Sequence, residues 1–136
     1  MVSRQRVYWF IGVLVLTALA WVAALPDYVG LCPPYGVDGK YACVDRLIIF
    51  GWPWALLLSG LSLGLLLSMF TDLRVFKLWR VFTLIYFSIA IILVLLSPEV
   101  GDILEPDKET VALWLSVLFV ILSILLISYK SWRLKK

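Results

Sequence analysis

Residues 47–71 read LIIFGWPWALLLSGLSLGLLLSMFT and carry no charged side chain. Coiled as a helix with a rise of about 1.5 Å per residue, this stretch is long enough to cross a hydrocarbon core of about 30 Å. Three further charge-free runs lie along the chain: Val7–Leu25, Val81–Ser97 and Val111–Tyr129. Composition agrees, with 63% hydrophobic residues and a mean hydropathy of +1.02, far above a soluble domain. The expected fold is therefore an all-α membrane protein. It is a single domain over residues 1–136, a four-transmembrane-helix antiparallel bundle with spans at about 7–25, 47–71, 81–97 and 111–129.

Charge sets the expected orientation. Arg4, Arg6, Arg74, Lys77, Arg80, Lys130, Arg133, Lys135 and Lys136 fall at the N-terminus, the loop after the second span and the C-terminus, beside one acid, Asp72. Lys40, Arg46 and Lys108 fall in the two opposite loops, with all the remaining acids. The excess of Lys and Arg marks the cytoplasmic side. Both termini are expected there, and residues 26–46 and 98–110 are expected to face outward. The net charge of +3 thus comes from helix ends and gives no nucleic-acid footprint. Met1–Arg6, the apolar run and Ala18-Leu19-Ala20 also outline a secretory signal. The run exceeds a usual signal core of about 7–15 residues, so a retained first helix is expected.

Aromatic residues gather near the expected boundaries. Tyr8, Trp9, Phe10, Trp21, Trp52, Trp54, Phe76, Trp79, Phe82, Trp114, Tyr129 and Trp132 read as interfacial anchors, whose rings combine an apolar body with a polar edge. Pro26 and Pro98 end the first and third spans. Pro53 is expected in the first turn of the second span, after a partly extended or interfacial lead-in at Leu47–Gly51. Asp107 or Thr110 is placed to cap the fourth span. The turn from Asp72 to Arg80 is short, so the second and third spans should be antiparallel neighbours. A local partner such as Arg74 or Arg80 is expected for Asp72.

Gly60, Gly64 and Ser68 repeat a small residue every four positions, a stripe that admits close approach of another helix. That helix can belong to the same chain or to a partner; Ser116 and Ser123 line a candidate complementary face. Thr17, Ser59, Ser62, Thr83, Ser88 and Ser116 are hydroxyls inside spans, read as inter-helix hydrogen-bond groups or as the lining of a shared path in an oligomer.

The side chains needed for most chemistry are missing. There is no histidine, so no metal centre or cofactor is expected. No acid lies within a span to carry protons or ions, and no phosphate loop or nucleophile elbow appears. Cys32 and Cys43 are the two cysteines. On the outer, oxidising side they are expected to form a structural disulfide closing a turn rich in Pro33, Pro34, Gly36 and Gly39, with Tyr28, Tyr35 and Tyr41 as outer-loop contact residues. Membrane disulfide oxidoreductases use a closely spaced CxxC instead, whose low thiol pKa speeds exchange.

Gly30-Leu31-Cys32, Cys43 and Arg46 ahead of the second span resemble the claudin and peripheral-myelin type signature, Gly-Leu-Trp followed by two spaced cysteines in the first outer loop. Cys32 stands where that signature has Trp, and the loop is shorter than the family's extracellular sheet. The resemblance covers about 17 residues plus the topology, and implies a stapled outer loop that presents a contact surface.

The expected function is non-catalytic: an accessory or interaction subunit of a larger membrane complex, or a protein binding a membrane partner in an immunity-type role. A membrane thiol–disulfide oxidoreductase using Cys32 and Cys43 and a small oligomeric transporter or pore are the alternatives. Expected partners are the bilayer and a membrane protein or a second copy. The expected location is the plasma membrane or a bacterial inner membrane.

Overall fold

The computed structural model describes residues 4–26, 30–32, 40–99 and 106–133. Four helices make up the fold: α1 (Arg4–Ala24), α2 (Lys40–Met69), α3 (Leu73–Leu96) and α4 (Lys108–Arg133). Each contains a stretch long and apolar enough to cross a bilayer, at Arg4–Ala24, Leu47–Met69, Leu73–Leu96 and Lys108–Arg133.

α2 is the central helix. α1 packs along one side of it and α4 along another, while α3 packs chiefly on α4 and meets α2 more narrowly. Thr17 lies by Ser62, and Trp21 by Ser59, so α1 and α2 run antiparallel. Trp79 with Ser123 and Tyr86 with Leu115 give the same sense to α3 and α4. The layout is open, because no close backbone approach joins α1 to α3 or α4.

Two boundaries differ from expectation. α2 is helical from Lys40, so Leu47–Gly51 is not an extended lead-in, and Pro53 sits inside the helix. No proline or glycine lies between Lys40 and Phe50 to stop the helix, and Pro53 removes a single N–H, the partner of the Ile49 carbonyl. A helix of 30 residues measures about 45 Å, so its first turns project beyond a core of about 30 Å. The stretch Asp72–Arg80 is also helical beyond Asp72. Arg74, Lys77 and Arg80 are exposed while Val75 and Trp79 are buried, so the helix carries its cations on one side without leaving its axis.

The real turn, residues 70–72, is closed by side chains. Thr71 donates from its N–H and its hydroxyl to the Ser68 carbonyl, at 3.2 and 2.7 Å. Arg6, 5% exposed, donates from Nη1 to the carbonyls of Met69 and Thr71 at 3.2 and 2.7 Å. Its guanidinium lies 4.5 Å from the centre of the Phe76 ring. The last carbonyls of a helix lack intrahelical donors and sit at the negative end of its dipole, which is where a buried cation is best tolerated. Asp72 makes no ion pair with Arg74 or Arg80 among the described residues; it occupies the N-cap position of α3, and its carbonyl accepts from Phe76 N–H. Residues two apart on a first turn point away from each other.

At the start of α4, Asp107 Oδ1 accepts from Thr110 N–H at 2.9 Å. Hydrogen bonds from the Thr110 side chain, then from its backbone, hold the Asp107 carboxyl below its ordinary value.

Arg6→Met should lower stability in detergent by about 2 kcal/mol, the scale of a charged hydrogen-bond donor removed from buried acceptors. Arg6→Lys should restore less than half, since an ammonium lacks the planar face that stacks on Phe76. Thermal unfolding of the three proteins checks this, and an unchanged midpoint for Arg6→Met would disprove the role.

Candidate functional site: the faces of α1 and α3

Three glycines of α2 mark where neighbouring helices come closest. A Cβ at Gly51 would stand 2.6 Å from the backbone N of Ala24, so the end of α1 rests on bare backbone. At Gly60 it would collide with the Ser116 hydroxyl and lie 3.3 Å from Ser116 Cα. At Gly64 it would meet the Phe119 ring at 2.6 Å and the Trp79 ring at 3.2 Å. Ser68 is fully buried and bonds to the Leu65 carbonyl. The Gly60–Gly64 part of the stripe is therefore occupied by α4 and α3 of the same chain.

Phe119, seated over Gly64, is the hub of an aromatic cluster with Trp79, Phe82, Tyr86 and Phe87, at centroid distances of 5.1–6.2 Å. Trp79 Nε1 donates to Ser123 Oγ at 3.1 Å and the residue is 2% exposed. Trp79 is thus a core residue and not the interfacial anchor its position near a span end implied. Trp9, Trp114, Tyr129 and Trp132 are exposed.

The span hydroxyls join helices. Thr17 and Ser62 share a hydrogen bond of 2.8 Å, Ser59 accepts from Trp21 Nε1 at 3.0 Å, and Ser116 donates to the Leu56 carbonyl at 2.9 Å. Ser88 turns back to the Leu84 carbonyl on an exposed face. Thr83 differs: its buried hydroxyl oxygen has no hydrogen-bond partner.

Cys32 and Cys43 form a disulfide, with Cα atoms 5.9 Å apart. Because Cys43 belongs to the projecting first turns of α2, the bridge ties the chain after α1 to a helix and not to a hairpin strand. Tyr28 and Tyr35 lie outside the described residues, as does the side chain of Tyr41. Among the described residues no group of three or more His, Cys, Asp or Glu is placed to hold a metal ion.

Two surface features are unfilled. A cleft of about 310 Å³ opens between α1 and α3 over α2, lined by Trp9, Val13, Leu61, Leu65, Phe76, Trp79, Arg80, Thr83 and Leu84. On α1 itself, Gly12 forms a notch bordered by Tyr8, Trp9 and Leu16, and nothing lies within 4 Å of where its Cβ would be. Sequence reading missed both. An isolated glycine inside an apolar helix was the available signal for the notch; the cleft depends on how far α1 and α3 stand apart, which no residue pattern records.

By its four candidate spans this is a multi-pass membrane protein in class. No protein-family model matches the chain, and no curated protein or solved structure matches it.

Alanine at the four glycines should separate their roles. Gly51→Ala meets backbone, which cannot rotate away, and should destabilise most, by about 1–3 kcal/mol or more. Gly64→Ala and Gly60→Ala meet side chains and should cost less. Gly12→Ala should be neutral or stabilising by up to about 1 kcal/mol, from helix propensity alone. Thermal unfolding of the series in one detergent gives the order, and a loss at Gly12 matching that at Gly51 would contradict it.

Proposed function

We propose that this chain is a non-catalytic accessory subunit that seats a transmembrane helix of a different protein on the open face of α1, with both termini in the cytoplasm. Gly12 carries the reading. A glycine inside a helix costs roughly 0.5–1 kcal/mol relative to alanine. Gly51, Gly60 and Gly64 offset that cost by admitting Ala24, Ser116 and Phe119, whereas Gly12 admits none of the described residues of its own chain.

Hydrocarbon tails wet leucine as well as another helix does, so apolar exposure alone does not attract a partner in a membrane. Close approach at small residues does. The notch at Gly12, edged by Tyr8 and Leu16, has the form of a socket for one knob of a neighbouring helix. The orientation rests on the Lys and Arg residues gathered at the N-terminus of α1, the α2–α3 turn and the end of α4.

The test is the native mass of the complex after gentle extraction, compared with that of Gly12→Leu. A foreign chain should accompany the wild-type protein in fixed stoichiometry and be lost from Gly12→Leu, whose own unfolding midpoint stays unchanged. A solitary chain, a homo-oligomer or undiminished recovery with Gly12→Leu would each overturn the proposal.

A further inference from the structure

We propose that the cleft between α1 and α3 binds one anionic phospholipid, its phosphate on Arg80 and an acyl chain along the apolar wall. The inference does not depend on a protein partner at Gly12.

The lining combines the two chemistries of a phospholipid, one cation and an apolar wall. Arg80 is the last charged residue before the charge-free run Val81–Ser97, at the span edge that the charge pattern sets, from which a long side chain extends its charge to the phosphate level. Arg80 is exposed, lines the cleft, and has no ion-pair partner among the described residues. Thr83 stands one turn deeper, about 4.5 Å along the axis. Its hydroxyl is unpartnered, and a threonine in a helix has two accessible rotamers. Turning χ1 offers that hydroxyl to a glycerol ester carbonyl. Around them, Val13, Leu61, Leu65 and Leu84 supply an apolar wall.

Charge selects the occupant. A neutral helix of a partner would leave Arg80 unanswered at the mouth of the cleft. A free phosphate would leave the apolar wall open. A zwitterionic lipid brings its own cation close to the guanidinium. An anionic phospholipid satisfies the cation and fills the wall together. Arg6 does not compete for the headgroup, because the residue is buried and its Nη1 is bonded to the carbonyls of Met69 and Thr71.

The experiment is native mass spectrometry of the purified full chain in detergent with dioleoyl phosphatidylglycerol or dioleoyl phosphatidylcholine. One phosphatidylglycerol should be retained, at least fivefold in preference to phosphatidylcholine. Arg80→Gln should weaken retention about fivefold, the scale of one basic residue at an anionic surface. Val13→Phe, which fills the cleft without touching the charge, should weaken it comparably. Arg74→Gln, outside the cleft lining and beside Lys130, should leave retention unchanged. Equal retention of both lipids, equal effects of Arg80→Gln and Arg74→Gln, wild-type retention by Val13→Phe, or displacement by glycerol phosphate alone would each overturn the site. Unfolding midpoints measured without lipid separate loss of binding from loss of fold.

Discussion

Phe119 resting on Gly64 is the contact through which α2, α3 and α4 hold one another. Its ring occupies the space a side chain at Gly64 would fill, and four other aromatic rings surround it. This matters because a bilayer removes the ordinary driving force. Burying leucine against leucine gains little when lipid is equally apolar, so association depends on dispersion at close range and on polar groups that lipid cannot satisfy. Aromatic pairs contribute about 0.5–1.5 kcal/mol each beyond burial. The same packing places Trp79 where its indole N–H reaches Ser123, turning a polar edge that lipid would leave unpaired into a bond between α3 and α4.

The α1–α2 seam follows a different rule. It is joined by Arg6 at one end, Thr17 and Ser62 in the middle, Trp21 with Ser59 and edge-on to Trp52 further along, and bare backbone at Gly51. Polar bonds, one ring pair and one close backbone approach anchor a helix that is otherwise mostly exposed. Such a seam fixes the register of α1 against α2 while leaving its other faces free. The cleft and the Gly12 notch both follow from that arrangement, with Trp9 and Val13 lining each.

Helix number, approximate spans and the cysteine pair could be read from the chain because each depends on local composition: uninterrupted apolar runs, breaker residues, and two cysteines with no others to choose from. The start of α3 and the continuity of α2 could not. Both depend on whether a helix continues after it leaves the hydrocarbon, and cations or a single internal proline do not forbid that. Trp79 was misread for a related reason. A tryptophan near a span end is usually an anchor, and only the position of Ser123 on another helix makes this one a core residue. Arg6 looked like one more positive-inside charge, and its reach to Met69 and Thr71 spans more than sixty positions of sequence.

These misreadings share a cause that bears on function. Sequence pattern tells which residues suit lipid, but in a membrane that property does not separate surface from interior. What separates them is whether a small residue is filled and whether a polar atom is paired. By that criterion Gly60, Gly64 and Ser123 belong to the interior and Gly12 does not, Thr83 buries an unpaired hydroxyl, and Arg80 carries a charge that no described residue answers. The unanswered groups lie on α1 and α3, the two helices that flank α2 without approaching each other closely. The open layout leaves two faces of contrasting character, an apolar notch at Gly12 and a cleft that Arg80 borders, and these are the features on which the proposed helix partner and lipid rest.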